Sequence, residues 1–273
     1  MEKTVLITGC SSGIGRATAE TFLDEEWTVY ATSRDEADVA DLGERGCRTD
    51  SLDVTRGEDV KRVVDRIDDE AGRLDCLVNN AGYGQYGPLE DIPVERLHEQ
   101  FDVNVYGPHR LTRAVLPLLR EREEGTIVNV SSVQGRVSLP GAGAYAGSKF
   151  ALEAMSDALR AEVDPFDIDV VVVEPGPVET SFQDRAREEA DELVPGREYD
   201  WVYEAVEDAT AVSGSLPVAT DPRDVATVIH DAASMADPDP RYPVGPLTKY
   251  SLYARFLPDR LRDTVYRLVR TVL

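Results

Sequence analysis

Tyr145 and Lys149 stand four residues apart in the stretch YAGSK, within a run patterned as a helix. Positions i and i+4 share a helix face, so the phenol and the ammonium can lie side by side. A neighbouring ammonium favours the phenolate and draws its pKa down from ~10. Tyr145 then suits proton donation or acceptance. Alone, the pair far more often describes an exposed helix contact. Weight comes from Ser131 and Ser132 at the end of an apolar run, and from TGCSSGIG at residues 8–15. In that second stretch Gly9 permits a tight turn, Gly13 a close approach of backbone to ligand, and Gly15 the packing of helix on strand. The amides that open the next helix point outward with the positive end of its dipole, which suits a pyrophosphate. Ser11 and Ser12 add hydroxyl donors. A glycine-rich turn with no ligand is the plain alternative.

The elements that must position these residues follow from the alternation of patterns. Strand-like runs occupy residues 4–8, 28–33, 48–54, 75–80, 125–132 and 168–175, and helical patterns such as 14–25, 57–72 and 145–163 lie between them. That alternation predicts an α/β chain with a mostly parallel sheet and helices on both faces. Right-handed crossovers then favour a single-domain, doubly wound Rossmann fold over residues 1–273. Ligands of such sheets sit beyond the carboxyl ends of the strands, where the glycine turn and the serine pair both fall. After residue 176 the alternation stops. A helical stretch at 181–193 is followed by a helix over 220–235, capped by Thr220 or Asp221 with Pro222 first. A last strand is expected at 241–245, and a helical tail over 246–273.

The ordered set of motifs resembles the short-chain dehydrogenase/reductase family, in its compact single-domain branch. The family's glycine motif stands at Thr8 to Gly15, its Asn-Asn-Ala-Gly motif at Asn79, Asn80, Ala81 and Gly82, and its helix asparagine at Asn104. Its serine lies thirteen residues before the tyrosine, which selects Ser132 over Ser131. Its post-strand segment matches Pro175, Gly176, Pro177, Val178, Glu179 and Thr180. The resemblance implies an NAD(P)-dependent oxidoreductase interconverting a carbonyl and an alcohol, with Tyr145 as acid/base. Lys149 would hold the nicotinamide ribose and lower the tyrosine pKa, Ser132 would bind the substrate oxygen, and Asn104 would order a water linking Lys149 to solvent. Cofactor contacts are expected at Gly9, Ser11, Ser12, Gly13, Ile14, Gly15, Ser33, Arg34, Asp53, Asn80, Ala81, Tyr145, Lys149, Pro175, Gly176, Val178 and Thr180. For Asp53 the alternative is a strand-end turn residue. A dinucleotide-binding sensor without chemistry is the alternative function, and it conflicts with the intact set Asn104, Ser132, Tyr145 and Lys149.

The end of the second strand selects the cofactor. NAD-binding sheets place an acid there for the ribose diol. This chain has Ser33 followed by Arg34, a hydroxyl and a guanidinium suited to a 2′-phosphate. NADP is therefore expected. Asp35 reaching the ribose instead would favour NAD. Residues 177–215 are expected to form a substrate lid. Its aromatics Phe182, Tyr199, Trp201 and Tyr203 either line the substrate or pack the lid on the body, with Tyr83, Tyr86 and 133–139 opposite. The glycine loop, the Ser33-Arg34 ending and the tail resemble the hydroxysteroid- and retinol-dehydrogenase-like group, which implies a lipophilic small-molecule substrate.

Charge narrows the setting. Net charge is −23, from 52 acidic and 29 basic residues, and only four of the bases are lysines. Such a field repels nucleic acid and anionic membranes. It matches surfaces adapted to molar salt, where the Debye length shrinks to ~3 Å. From Lys249 onward the tail reverses sign, with an apolar stripe of Tyr250, Tyr253, Phe256, Leu257, Leu261, Val265, Leu268 and Val272. That stripe packs on the body, on a partner subunit of a homo-oligomer, or on a membrane surface. Without a leader or a ~20-residue apolar run, a cytoplasmic protein is expected. Cys10, Cys47 and Cys76 read as buried hydrophobes, and His98, His109 and His230 lack ligand spacing, so no metal is expected.

Overall fold

The computed structural model describes residues 2–191, 193, 197–213, 219–246 and 248–272. Seven strands form one sheet: β1 (Thr4–Thr8), β2 (Thr28–Ser33), β3 (Arg48–Ser51), β4 (Cys76–Asn79), β5 (Gly125–Val130), β6 (Ile168–Pro175) and β7 (Arg241–Val244). Their order is β3-β2-β1-β4-β5-β6-β7 and every pairing is parallel, so the mostly parallel expectation becomes a fully parallel sheet. β1, β4 and β5 are buried along their whole length, which explains runs such as TVLIT with no polar alternation. The edge strands β3 and β7 are only partly buried. An edge also tolerates Pro243, which has no amide to give to a ladder.

Helices cover both faces. α1 (Gly13–Asp24) and α9 (Pro222–Ser234) close one side, where Phe22, Trp27, Val225 and Ile229 pack on Val5, Ile7 and Val171. α3 (Gly57–Ala71) and α5 (Gly107–Arg122) close the other with Val63, Ile67, Leu111 and Val115 on Leu6, Leu77 and Ile127. The remaining helices are α2 (Ala40–Arg45), α4 (Val94–Phe101), α6 (Gly143–Val163), α7 (Phe182–Asp191), α8 (Asp200–Ser213), α10 (Thr248–Ser251) and α11 (Asp259–Val272). Asp221 caps α9 by accepting from the Arg223 amide at 2.8 Å, while Thr220 pairs with Val178 as an isolated bridge. That settles the cap on Asp221. The three cysteines are buried and unpaired.

Three strands stop earlier than their sequence patterns. β3 ends at Ser51, β4 at Asn79 and β5 at Val130. Just beyond each end a side chain takes over from the ladder. Asp53 Oδ1 accepts from the Thr55 amide at 2.9 Å, Asn80 Nδ2 donates to the Thr8 carbonyl at 2.9 Å, and Ser132 Oγ accepts from the Gln134 amide at 3.1 Å. These turns bend the chain away at the carboxyl edge, and all three residues are candidate site residues.

Within the tail, the Tyr266 hydroxyl donates to the Ser138 carbonyl, so α11 touches the protein's own body there. Tyr253, Phe256 and Leu261 are exposed. The side chains of Tyr250, Val265, Leu268 and Val272 lie outside the described ones. No helix among the described residues is long and apolar enough to cross a membrane.

Candidate active site

Sheet order reverses between β1 and β4, and the crevice of a doubly wound sheet opens at such a reversal. The glycine loop crosses the end of β1 at this point. Gly9 has φ +73°, and a Cβ on it would stand 2.9 Å from the Ala81 Cα. Gly15 is tighter: its Cβ would lie 2.2 Å from the Gly9 carbonyl oxygen and 2.3 Å from Asn80 Nδ2. Asn80 is the brace of this loop, donating to both the Thr8 and Gly9 carbonyls. The Thr8 hydroxyl in turn accepts from the Asn80 and Ala81 amides at 3.1 and 3.0 Å. Asn80 and Ala81 thus hold the loop in shape. The N-terminus of α1 is left open. Ser12 makes no capping hydrogen bond there, and no acid occupies the first turn. An uncapped, uncompensated helix start is the donor set a pyrophosphate needs. Gly13 packs toward Thr180, and Ser12 Oγ lies 3.3 Å from Ser181 Oγ, so the segment after β6 closes over the loop. That segment leaves Pro175 with the Gly176 amide bonded to the Val244 carbonyl, and Val178 is pinned by Thr220.

At the end of β2, Ser33 is buried and its hydroxyl donates to the Asp35 carbonyl. Asp35 turns its carboxylate to the Ala37 amide at 3.0 Å, and Glu36 accepts from the Thr49 hydroxyl at 3.1 Å. Arg34 is exposed, and no ion pair holds it among the described residues. Asp53 spends Oδ1 on the Thr55 amide and hydroxyl, the turn role that was its alternative reading.

Across the crevice stand the groups of α6 and its neighbours. Lys149 Nζ donates to the Val130 carbonyl at 2.8 Å and lies 5.8 Å from the centre of the Tyr145 ring. Asn104 sits in a π-helical turn, Asp102–Tyr106, where the Gly107 amide reaches back to the Asp102 carbonyl. Such a turn shifts side-chain direction by one position and is frequent at functional sites. Here it buries Asn104 so that Nδ2 donates to the Tyr83 carbonyl at 2.9 Å and to Ser148 Oγ at 3.1 Å, while Oδ1 accepts from the Tyr83 amide. A Cβ on Gly82 would fall 3.0 Å from Asn104 Oδ1 and 3.7 Å from Lys149 Nζ. Gly82 therefore lets these two groups share one space.

Electrostatics corrects one expectation. Burial pushes the Tyr145 phenol up to about 12, and only an interaction with the Ser132 hydroxyl works against it. The Lys149 ammonium is not the counterweight that the four-residue spacing suggested. Burial instead lowers Lys149 to about 8, against the pull of Glu153. The phenol is enclosed by rings, with Tyr86 at 5.6 Å and Phe182 at 5.5 Å between centroids. A shielded phenol holds its proton through the neutral range, which suits a donor.

The aromatics of 177–215 divide between the two roles. Phe182 faces Tyr145. Tyr199 and Tyr203 donate instead to Glu90 and Asp91, and Arg96 pairs with Glu189 at 3.3 Å. Leu193 packs with Ile92 and Ala144. These contacts fasten α7 and α8 to the segment 83–97. Trp201 is partly buried. Residues 192, 194–196 and 214–218 of the expected lid lie outside the described residues.

Known proteins resemble this arrangement closely. A family model described as short chain dehydrogenase matches residues 3–191. An uncharacterized oxidoreductase of Escherichia coli is 37% identical, with 97% of this chain and 94% of the relative covered. A 3-ketodihydrosphingosine reductase of Bacteroides thetaiotaomicron is 35% identical over 97% of this chain and 96% of its own. Bovine retinol dehydrogenase 8 is 37% identical over 86% of this chain and 79% of its own. Among solved structures, a short chain dehydrogenase/reductase from Burkholderia phymatum in complex with NAD superposes with a TM-score of 0.83 at 26% identity, covering 96% of this chain and 95% of that one.

Proposed function

The chain belongs to the short-chain dehydrogenase family and is an oxidoreductase, and from that premise we propose an NADP(H)-dependent reductase of lipophilic ketones or aldehydes, with Tyr145 as proton donor. The observation that supports the reading is the space at Gly82 shared by Asn104 and Lys149, next to the Asn80 brace of the glycine loop, together with the interaction of the Ser132 hydroxyl with the buried Tyr145 phenol. A dinucleotide held there would supply the hydride for the carbonyl carbon. The protein's own groups supply orientation and the proton. The α1 amides of Gly13, Ile14 and Gly15, with Ser11 and Ser12, bind the pyrophosphate. Asp53 would contact the adenine from the turn that its Oδ1 holds. Pro175, Gly176, Val178 and Thr180 fix which ring face meets the substrate. Ser132 Oγ donates to the substrate oxygen as negative charge gathers there. Tyr145 gives its proton to that oxygen. Lys149 would hold the ribose, and Asn104 would order the water that links Lys149 to solvent. Residues 177–215 act as a lid, and Phe182 and Tyr86 give its inner surface an apolar, aromatic character. The similarity to a 3-ketodihydrosphingosine reductase and to a retinol dehydrogenase supports a lipophilic substrate.

The cofactor preference rests on Arg34. Asp35 and Glu36 are committed to local hydrogen bonds, which leaves the neighbouring guanidinium available for a 2′-phosphate. Arg34→Ala raises the KM for NADPH by about 10–100-fold, the range for a lost charge-assisted hydrogen bond. The KM for NADH moves less than about threefold. Equal weakening of both cofactors refutes NADP preference.

The test of the function is NADPH consumption against long-chain ketones, retinal, steroids and short aldehydes in molar potassium chloride. Turnover confined to the lipophilic substrates is the expected result. Tight NADPH binding without turnover on any of them favours a dinucleotide sensor.

A further inference from the structure

One helical turn beyond Lys149 on α6 lies Glu153, in a buried charge cluster apart from the residues assigned above. Its side chain is 6% exposed, and that of Glu174 on β6 is 2% exposed. Arg136, from the turn that Ser132 opens, lies 3.5 Å from Glu153 and 3.3 Å from Glu174. Arg241, from β7, reaches the same two carboxyl groups at 3.2 and 3.5 Å. Arg241 also pairs with Asp157, which Arg160 shares at 2.9 Å. Two guanidinium groups are thus set between two buried carboxyl groups. The cluster ties together the turn carrying Ser132, the helix carrying Tyr145 and Lys149, and the strand leading to Pro175.

Glu153 is anchored yet incompletely used. Its Oε2 meets both arginines, while Oε1 is buried with no hydrogen-bond partner. Gly135 makes room for it, since a Cβ there would stand 3.0 Å from Glu153 Cγ and 3.2 Å from Oε1. Positions 149 and 153 share a helix face. In a low-dielectric interior a fixed carboxylate one helical turn away opposes part of the burial cost of an ammonium, here the smaller of the two effects on Lys149.

We propose that Glu153 is a positioning residue for the reaction, fixed by Arg136 and Arg241, whose carboxylate keeps Lys149 in its ammonium form at working pH. This rests on Lys149 being part of the site. Among the described residues, Glu153 pulls Lys149 upward against its burial. Its neighbour Glu174 absorbs the strain of the pair: burial and repulsion from Glu153 push it up to about 7, against the pull of Arg136 and Arg241. Glu174 is thus the carboxyl group of the pair that burial and its neighbour push up, while both arginines stay on Glu153 Oε2.

Four lysines in the chain make the test direct. The 13Cε and 15Nζ signals of Lys149, assigned by their loss in Lys149→Arg, are titrated in the full-length protein. Glu153→Gln is expected to lower the Lys149 midpoint by about one unit, the size of one lost neighbouring charge. Glu174→Gln is expected to move it less than about 0.3 units, because the charge beside Lys149 stays. An unmoved midpoint in Glu153→Gln overturns the proposal. So does an equal shift in both variants, which would mean that the cluster only holds the packing. Should Glu153→Gln fail to fold, Glu153→Asp decides: a drop of about half a unit supports the proposal and no drop overturns it. Activity gives a second readout. The alkaline limb of kcat/KM for reduction moves down with the Lys149 midpoint, while the rate at pH 6 stays within about threefold. A wild-type enzyme with no turnover would count against the reductase reading alone, since the titration needs no substrate.

Discussion

Tyr145→Phe is expected to lower kcat for carbonyl reduction by about 10²–10⁴-fold, the usual contribution of a positioned general acid. The ring stays and only the hydroxyl goes, so the stack with Tyr86 and Phe182 persists. NADPH affinity should stay within about threefold, since the open α1 terminus and Arg34 supply most of the binding. The sign of the pH dependence follows from the enclosure. With the phenol pushed up to about 12, Tyr145 is protonated across the neutral range, so its ionisation does not limit reduction between pH 6 and 9. Lys149, lowered to about 8, titrates first. Reduction should therefore fall on the alkaline side as Lys149 loses its charge. Oxidation needs Tyr145 to accept a proton and gains as the phenol ionises. Stopped-flow reduction and thermal melts of the two proteins provide the check. A variant that keeps more than a tenth of wild-type kcat, with an unchanged melt, would remove Tyr145 from the donor role.

Much of this site was legible before any coordinates. A doubly wound, mostly parallel sheet follows from the alternation, the carboxyl-end rule places the glycine turn and the serine pair on one edge, and the resemblance adds Asn80 and Pro175. What escaped has a physical cause in each case. The direction of the Tyr145 shift depends on rings from residues 86 and 182, which lie far from it in sequence, whereas the spacing to Lys149 exposes only the local partner. The π-helical turn at Asp102–Tyr106 leaves no composition signal, because it differs from an α-helix by one hydrogen-bond step. The aromatics of 177–215 could not be divided without knowing that Glu90 and Asp91 face Tyr199 and Tyr203. The cluster of Arg136, Glu153, Glu174 and Arg241 assembles four separate segments, each of which alone reads as an ordinary charge. Strand ends were overrun because residues such as Asp53 and Asn80 continue a strand-like pattern while their side chains end the ladder.

Stability should depend steeply on salt. The chain carries −23 net charge, and its basic residues are already committed in many short-range pairs, such as Arg62 and Arg66 with Asp50, Arg73 with Asp75, and Arg110 with Asp102. These pairs neutralise charge locally, with Arg62 and Arg66 sharing Asp50, and the excess of acids remains as mutual repulsion across the surface. On α3, Glu58, Asp68 and Asp69 are exposed without an ion pair among the described residues. At ~0.1 M salt the Debye length of about 10 Å lets such groups feel one another, and at ~1 M it shrinks to about 3 Å. If the repulsion costs about 5 kcal/mol in dilute buffer, the melting temperature should rise by about 10–20 °C between 0.1 and 1 M potassium chloride. Charge screening predicts that most of the gain comes below ~1 M, whereas strengthened burial by excluded salts continues to grow above it. Glu58→Lys, Asp68→Lys and Asp69→Lys combined reduce the net charge and should recover part of the stability at 0.1 M while changing little at 3 M. Equal melting temperatures for wild type at both salt concentrations, with full activity in dilute buffer, would refute adaptation to salt and leave the acid excess without a stabilising role.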